Sequence, residues 1–300
     1  MCIRDRHKTI LKTKLMIKLI ECPRDAMQGI EQYIPVQQKA DYINALLKVG
    51  FDTIDFGSFV SPKAIPQLRD TAEVLAKLDM SSTDTKLLAI IGNLRGAEAA
   101  VAFDEITYLG FPYSSSKTFL KLNINTTPET ALLTIEDVNK LCVANKKEMI
   151  VYLSVAFGNP YGDDENNNSI IKAIKDLQKL GIKIIDLADT LGMGDAKMIG
   201  DVFEEVIPMF PDIEFGFHLH TTADSWKSKV NAAYEHGCRR FDSVILGLGG
   251  CPMSSKDMVG NLNTENLIYY FQSKDVDLNI NMNFYKEALI KAKNTFSFIH

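Results

Sequence analysis

The chain has 300 residues, 46% of them apolar and 24% charged, with a formal net charge of −5. That composition describes one sizeable globular domain or two small ones and excludes a disordered chain. The acidic balance argues against nucleic acid or an anionic membrane as partner and turns attention to small-molecule chemistry.

Five cysteines, Cys2, Cys22, Cys142, Cys238 and Cys251, are scattered without a CxxC pair. This usage fits a reducing, cytoplasmic setting better than a disulfide scaffold. No apolar run reaches the roughly 18 to 20 residues of a membrane helix. Residues 1–15 are basic, contain Asp5, and lack both the apolar core of a signal peptide and the serine-rich character of a transit peptide. They read as an N-terminal appendage of non-native type, with Met16 a candidate start for a single domain over residues 16–300.

Eight runs rich in branched apolar residues follow, each succeeded by a segment of helical character. In chain order the expected strands are Ile17 to Cys22, Thr53 to Gly57, Lys86 to Ile91, Glu105 to Leu109, Met149 to Ala156, Lys183 to Leu187, Glu214 to His220 and Arg240 to Leu246. Most are nearly continuous in apolar character, as parallel strands covered by helices should be. Helical patterns span Val36 to Val49, Pro62 to Leu78, Thr127 to Ala144, Ser169 to Leu180, Ala196 to Met209 and Ala223 to His236, and the third crossover is shorter. Gly50, Gly181 and Gly237 stand where helices should end before the next strand. Eight such alternations predict a (β/α)8 TIM barrel. A doubly wound open sheet is the runner-up, and no GxGxxG turn follows the first strand to support its dinucleotide-binding form.

A barrel of this kind carries its chemistry at the C-terminal ends of the strands. Suitable residues gather there: Arg24, Asp25 and Gln28 after the first strand, Asp55 and Ser58 at the second, Asn93 after the third, and Asp189-Thr190 after the sixth. The seventh supplies His218-Leu219-His220, whose imidazoles share one side of a strand and can share one divalent cation. The alternative is a pair of core histidines bonded to backbone carbonyls. Asp25 and Asn261 are the other candidate ligands, against readings as a helix cap or Arg24 partner and as a turn former after Gly260. Such a mixed nitrogen and oxygen set suits Mg²⁺ or Mn²⁺ better than structural zinc. Beyond the eighth strand, the loop Gly247-Leu248-Gly249-Gly250-Cys251-Pro252 carries a thiol that can serve as acid or nucleophile, or lie inert.

Taken in order, Pro23-Arg24-Asp25 with Gln28, Ser58-Phe59-Val60-Ser61-Pro62-Lys63, Asn93-Leu94-Arg95-Gly96, Asn123-Ile124-Asn125, Gly158-Asn159-Pro160-Tyr161, Asp189-Thr190-Leu191-Gly192, His218-Leu219-His220, the Gly-Leu-Gly-Gly-Cys-Pro loop and Gly260-Asn261-Leu262 form a specific set. From about Met16 to about residue 270 the chain resembles the hydroxymethylglutaryl-CoA lyase family of metal-dependent lyase and Claisen-condensing barrels. The resemblance implies cleavage of 3-hydroxy-3-methylglutaryl-CoA to acetyl-CoA and acetoacetate. It implies Asp25, His218, His220 and Asn261 as ligands of Mg²⁺ or Mn²⁺, Arg24 as stabiliser of the thioester enolate and Cys251 as the acid that protonates it. Asp25 and His218 are both candidates for the base, Asp189 joins the catalytic set, and Gln28, Asp55, Ser58 and Asn93 are expected to bind substrate. An acyl-CoA is the implied partner and a homodimer the implied assembly.

The chain departs from the family pattern where Cys22 and Ala26 replace glycines beside Pro-Arg-Asp, Asp55 stands for glutamate, and Thr221 replaces an aspartate after the histidine pair. Asp55 is one methylene short, so its contact with Arg24 or the site is expected to need a water. Competing readings are a synthase condensing acetyl-CoA with a 2-oxo acid, a carboxyl-transferring barrel, for which no carbamylated-lysine candidate stands out, and a non-catalytic acyl-CoA or metal-binding barrel.

Overall fold

The computed structural model describes residues 16–163, 167–250 and 259–298. The expectations for residues 1–15 and for Cys251 lie outside the described residues. Eight strands form the barrel: β1 (Lys18–Glu21), β2 (Thr53–Ser58), β3 (Lys86–Ile90), β4 (Ile106–Tyr113), β5 (Glu148–Leu153), β6 (Ile184–Asp189), β7 (Glu214–Thr221) and β8 (Arg240–Ser243). Every neighbouring pair is parallel. The circle closes where β8 pairs with β1, Leu19 opposite Phe241 and Glu21 opposite Ser243. The expected closed (β/α)8 barrel is therefore the observed one.

Nearly continuous apolar strands serve two cores, because successive side chains point to opposite faces. Leu87, Leu109, Val151 and Ile185 join the large cluster shared with the helices. Their neighbours Leu88, Tyr108, Ile150, Tyr152 and Ile184 form a separate small cluster inside the barrel. The apolar filling belongs to β3 through β6. The barrel also buries Asp55 on β2, Asp186 on β6, and Arg240 and Asp242 on β8.

The outer helices are α1 (Pro23–Gln28), α2 (Val36–Leu47), α3 (Thr71–Leu75), α4 (Leu94–Ala100), α5 (Lys117–Ile124), α6 (Pro128–Ala144), α7 (Asn167–Lys179), α8 (Ala196–Met209), α9 (Trp226–Glu235), α10 (Thr264–Gln272) and α11 (Met282–Thr295). In α8 the buried Ile199, Val202, Phe203 and Val206 keep the spacing of one helical face, and the Asp195 side chain accepts from the N–H of Met198 at 2.8 Å as its N-cap. Gly50, Gly181 and Gly237 take the positive φ expected of them, at 92°, 82° and 101°.

Several boundaries differ from expectation: β4 runs on to Tyr113, four residues past the expected Leu109, and β5 stops at Leu153, three short of Ala156. Pro62 to Leu78 yields only a 3₁₀ turn at Pro66–Leu68 and the short α3, because Pro62 and Pro66 each remove a donor and bias the preceding residue away from helix. β8 stops at Ser243: the Val244 N–H goes to the Leu262 carbonyl, and then Ile245 donates to Glu21 and Leu246 to Glu265. β6 runs two residues further than expected, so Asp189 is its last residue. Among the described residues no helix is long and apolar enough to cross a membrane.

Candidate active site

At the strand tips β1 runs into α1, with Pro23 in the first turn, where its missing N–H breaks no helical bond. The next turn stacks Gln28 beside Arg24 and Asp25, four and three residues back. Arg24 Nη1 donates to Gln28 Oε1 at 2.8 Å and to Asp25 Oδ1 at 3.2 Å, and Gln28 Nε2 donates to Asp25 Oδ1.

From β7, His218 and His220 bring their Nε2 atoms to 3.1 Å of each other. Two bare lone pairs repel at that distance, so the pair requires a proton or a cation between them. Asp25 Oδ2 lies 3.6 Å from His218 Nε2 and 4.0 Å from His220 Nε2. A two-residue strand unmarked in the sequence pattern, β9 (Gly260–Asn261), pairs antiparallel with β7 and sets Asn261 opposite His220. Asn261 Nδ2 donates to the Leu248 carbonyl at 2.8 Å, leaving Oδ1 as its ligand-capable atom. Gly249 passes close by at φ 80°; a Cβ there would stand 2.6 Å from the Asp25 carbonyl oxygen, so only glycine lets the loop approach.

Oδ2 of Asp25 is the informative atom. The residue is 2% exposed, yet this oxygen accepts no hydrogen bond from the described residues. A buried carboxylate oxygen without a donor is costly unless a cation faces it. The ligand atoms of Asp25, His218 and His220 lie within 4.8 Å of one another, so these three can hold a metal ion. The donors are oxygen and nitrogen, the set suited to a hard or borderline divalent cation.

The electrostatics agree. Burial pushes the Asp25 carboxyl up, but Arg24 and the two imidazoles outweigh it and hold the group below the usual carboxylate value. Burial, reinforced by His218, lowers His220 to about 4, which keeps that ring neutral and its lone pair available near pH 7. Asp55, wholly buried, is raised to about 6 by desolvation against the pull of Arg24.

A cavity of about 540 Å³ opens above this floor. Arg24, Gln28 and Asn93 contribute polar groups to it, and Ile65, Phe119, Leu122 and Ile124 an apolar wall. Two non-glycine residues at the cavity hold left-handed backbone: Asn125, in its lining, at φ 51°, and Val155, next to Ser154 of the lining, at φ 53°, whose N–H donates to the Thr190 hydroxyl at 2.9 Å. A β-branched residue rarely accepts that conformation, so β5's exit is held in place by its surroundings.

The other expected site residues divide. Asp55 binds Arg24 directly, Oδ2 accepting from Nε at 2.9 Å and Nη2 at 2.5 Å. No water is needed for this contact. Asn93 lines the cavity and also caps α4 through the N–H of Gly96. Gln28 lies at the cavity edge. Ser58 is turned into the fold, its hydroxyl donating to the Ile90 carbonyl and accepting from Val60 N–H. Asp189 does not line the cavity; its carboxylate accepts from Lys229 Nζ at 2.9 Å and from the N–H of Gly194. It ties the β6 exit loop to α9. Thr221, the replacement after the histidine pair, is taken up by Ser225. Cys22, Cys142 and Cys238 are free and buried.

Sequence reasoning missed Tyr152, whose ring stands edge-on to His218 at 5.7 Å, and Asp242, whose Oδ2 lies 2.9 Å from His218 Nδ1. The alternating polar pair Arg240 and Asp242 inside an apolar run was the available signal.

Residues 17–291 match the HMGL-like family model. The chain is 31% identical over 260 residues to a hydroxymethylglutaryl-CoA lyase of Bacillus subtilis, covering 87% of this chain and 86% of that one. It is 30% identical over 267 residues to the 3-hydroxy-3-isohexenylglutaryl-CoA/hydroxy-methylglutaryl-CoA lyase of Pseudomonas aeruginosa, covering 89% and 88%. The fold is similar to that of an HMG-CoA lyase from Acinetobacter baumannii in complex with coenzyme A and 3-methylmalate, with a TM-score of 0.86, 30% identity and coverage of 94% and 92%. Against the Bacillus subtilis HMG-CoA lyase structure the TM-score is 0.88 at 29% identity, with 94% of each chain covered. The match spans nearly the full described length and the barrel fold is shared, and the chain belongs to the HMGL-like family.

Proposed function

We propose that this chain cleaves 3-hydroxy-3-methylglutaryl-CoA to acetyl-CoA and acetoacetate, with Asp25, His218, His220 and Asn261 holding Mg²⁺ or Mn²⁺. The observation that carries the reading is the unpartnered Oδ2 of Asp25, buried and facing both Nε2 atoms beside the Arg24 guanidinium. The cation would supply Lewis acidity that lowers the pKa of the substrate's tertiary hydroxyl.

The remaining work falls to the chain. Asp25 or His218 takes the hydroxyl proton. The C2–C3 bond then breaks: C3 becomes the ketone of acetoacetate, and the electron pair passes to C2 as the thioester enolate. In Arg24, Nε and one Nη2 hydrogen go to Asp55 and the Nη1 hydrogens to Asp25 and Gln28, which leaves a second Nη2 hydrogen for the thioester oxygen. Such a fixed donor is worth about 3 kcal/mol in the transition state. Cys251, next in the chain after Gly250, gives its proton to C2, and the proton held by the base restores the thiol.

Purified protein incubated with Mg²⁺ and 3-hydroxy-3-methylglutaryl-CoA is expected to release acetoacetate, and to stop when chelator is added. No acetoacetate at any metal concentration overturns the proposal, and citrate-like products from acetyl-CoA and a 2-oxo acid would support the synthase. The apolar wall of Phe119, Leu122 and Ile124 favours a second reading, in which a 3-substituent larger than methyl is also accepted; the isohexenyl homologue assayed in parallel tests it. The buried free thiols suit a cytoplasmic setting, and a homodimer is the proposed assembly, checked by sedimentation.

A further inference from the structure

At His218 and just beneath it the barrel holds two polar layers where apolar filling is usual. Register sets them out. Asp186, Gly216 and Arg240 stand at one level on β6, β7 and β8, and two residues further on each strand come Ala188, His218 and Asp242. In the lower layer Arg240 Nε donates to Asp186 Oδ1 at 3.2 Å, across the strand between them. Gly216 makes this possible: a Cβ there would stand 1.7 Å from Asp186 Oδ1 and 3.0 Å from Arg240 Cδ. In the upper layer His218 Nδ1 and Asp242 Oδ2 are 2.9 Å apart, with Asp242 2% exposed.

We propose that Asp242 is the positioning residue of the metal centre: it accepts the Nδ1 proton of His218 and so fixes the ring with the Nε2 lone pair toward Asp25. This rests on the reading of Asp25, His218 and His220 as metal ligands. A free imidazole exchanges its proton between two nitrogens and turns about two bonds. A carboxylate on Nδ1 removes both freedoms, and outer partners of this kind typically alter metal affinity by about 10- to 100-fold. The Asp186–Arg240 pair forms the floor of the arrangement. Arg240 has Nη1 and Nη2 without hydrogen-bond partners among the described residues, and Asp186 and Asp242 are the two carboxylates that most stabilise its charge. The Tyr152 ring, edge-on to His218, closes the remaining side.

Two measurements test this. In the metal-free protein, long-range proton–nitrogen NMR is expected to find a hydrogen on His218 Nδ1, assigned by its loss in His218→Gln; an Nδ1 that carries no hydrogen overturns the proposal with no variant at Asp242 needed. In Asp242→Asn, Mn²⁺ affinity read by electron paramagnetic resonance is expected to fall by about 10- to 100-fold, with the His218 tautomers mixed and the thermal melt still cooperative. Affinity and tautomer both unchanged in that variant overturn the positioning role alone. A wild-type protein that binds no Mn²⁺ overturns the metal centre instead, and the tautomer measurement then decides the hydrogen bond by itself.

Discussion

Asn261 faces His220 directly across the antiparallel β7–β9 pair, and its amide nitrogen holds the Leu248 carbonyl at the base of the glycine loop. One side chain thus connects the imidazole pair to the loop that carries Cys251. Asn261→Ala is expected to weaken Mn²⁺ binding about tenfold or more and to lower turnover further, since the loop loses its anchor. An isothermal titration indistinguishable from the wild type would place the fourth donor elsewhere.

Arg24 and Asp55 form a buried pair through two guanidinium nitrogens on one carboxylate oxygen. Removing one member of such a pair typically costs about 3 to 5 kcal/mol. Asp55→Ala is expected to lose stability in that range by urea unfolding, less whatever Asp25 and Gln28 still provide to the guanidinium. Arg24→Lys keeps a charge but loses the planar fork; its kcat is expected to fall about 100-fold, with Mn²⁺ affinity within a few-fold of wild type. Normal turnover in Arg24→Lys rules out the enolate role.

Lys229 and Asp189 pair with both side chains almost wholly buried, and Lys229 also donates to the Gly192 carbonyl. Lys229→Met strands a buried carboxylate, so a loss of about 3 kcal/mol or more is expected, read as a drop in Tm. Residual activity measured below that Tm is expected to stay within tenfold of wild type. A far larger loss in kcat at full stability would return Asp189 to the reacting groups.

Glu21 accepts from Ile245 N–H and the Thr264 hydroxyl, and burial raises it from 4.5 to about 8. Between those values the folded chain keeps a proton that the unfolded chain releases. The contribution is whole below pH 4.5 and is lost as pH rises toward 8, at up to about 1.4 kcal/mol per pH unit. Glu21→Gln carries no such proton, so the stability of the variant relative to wild type is expected to rise between pH 5 and pH 8. Parallel unfolding curves at the two values would show that Glu21 is ionised in the fold.

The barrel and most of the candidate site were legible in the sequence. Alternation of continuous apolar strands with helical segments is a local property, and Arg24, Asp25 and Gln28 are brought together by one helical turn. His218 and His220 meet because strand side chains repeat every second residue. The 3₁₀ turn and short helix in place of one long helix were also written locally, in Pro62 and Pro66, though periodicity outweighed them in the reading.

Other assignments were decided only when the strands closed. β9 forms because β7 offers an edge at its tip, a fact absent from the dipeptide Gly260-Asn261 itself. The reach of Asp55 to Arg24 depends on β1 and β2 lying side by side, and the diversion of Asp189 on a lysine forty residues later. Asp242 finds His218 because β7 and β8 are neighbours in register. Sequence by itself determined the architecture, the residue types at the strand tips and the pairings within a turn, since these follow from backbone period. Tertiary structure alone decided which carboxylate meets which cation, because closure brings remote strands to within hydrogen-bonding distance and no short-range pattern encodes that spacing.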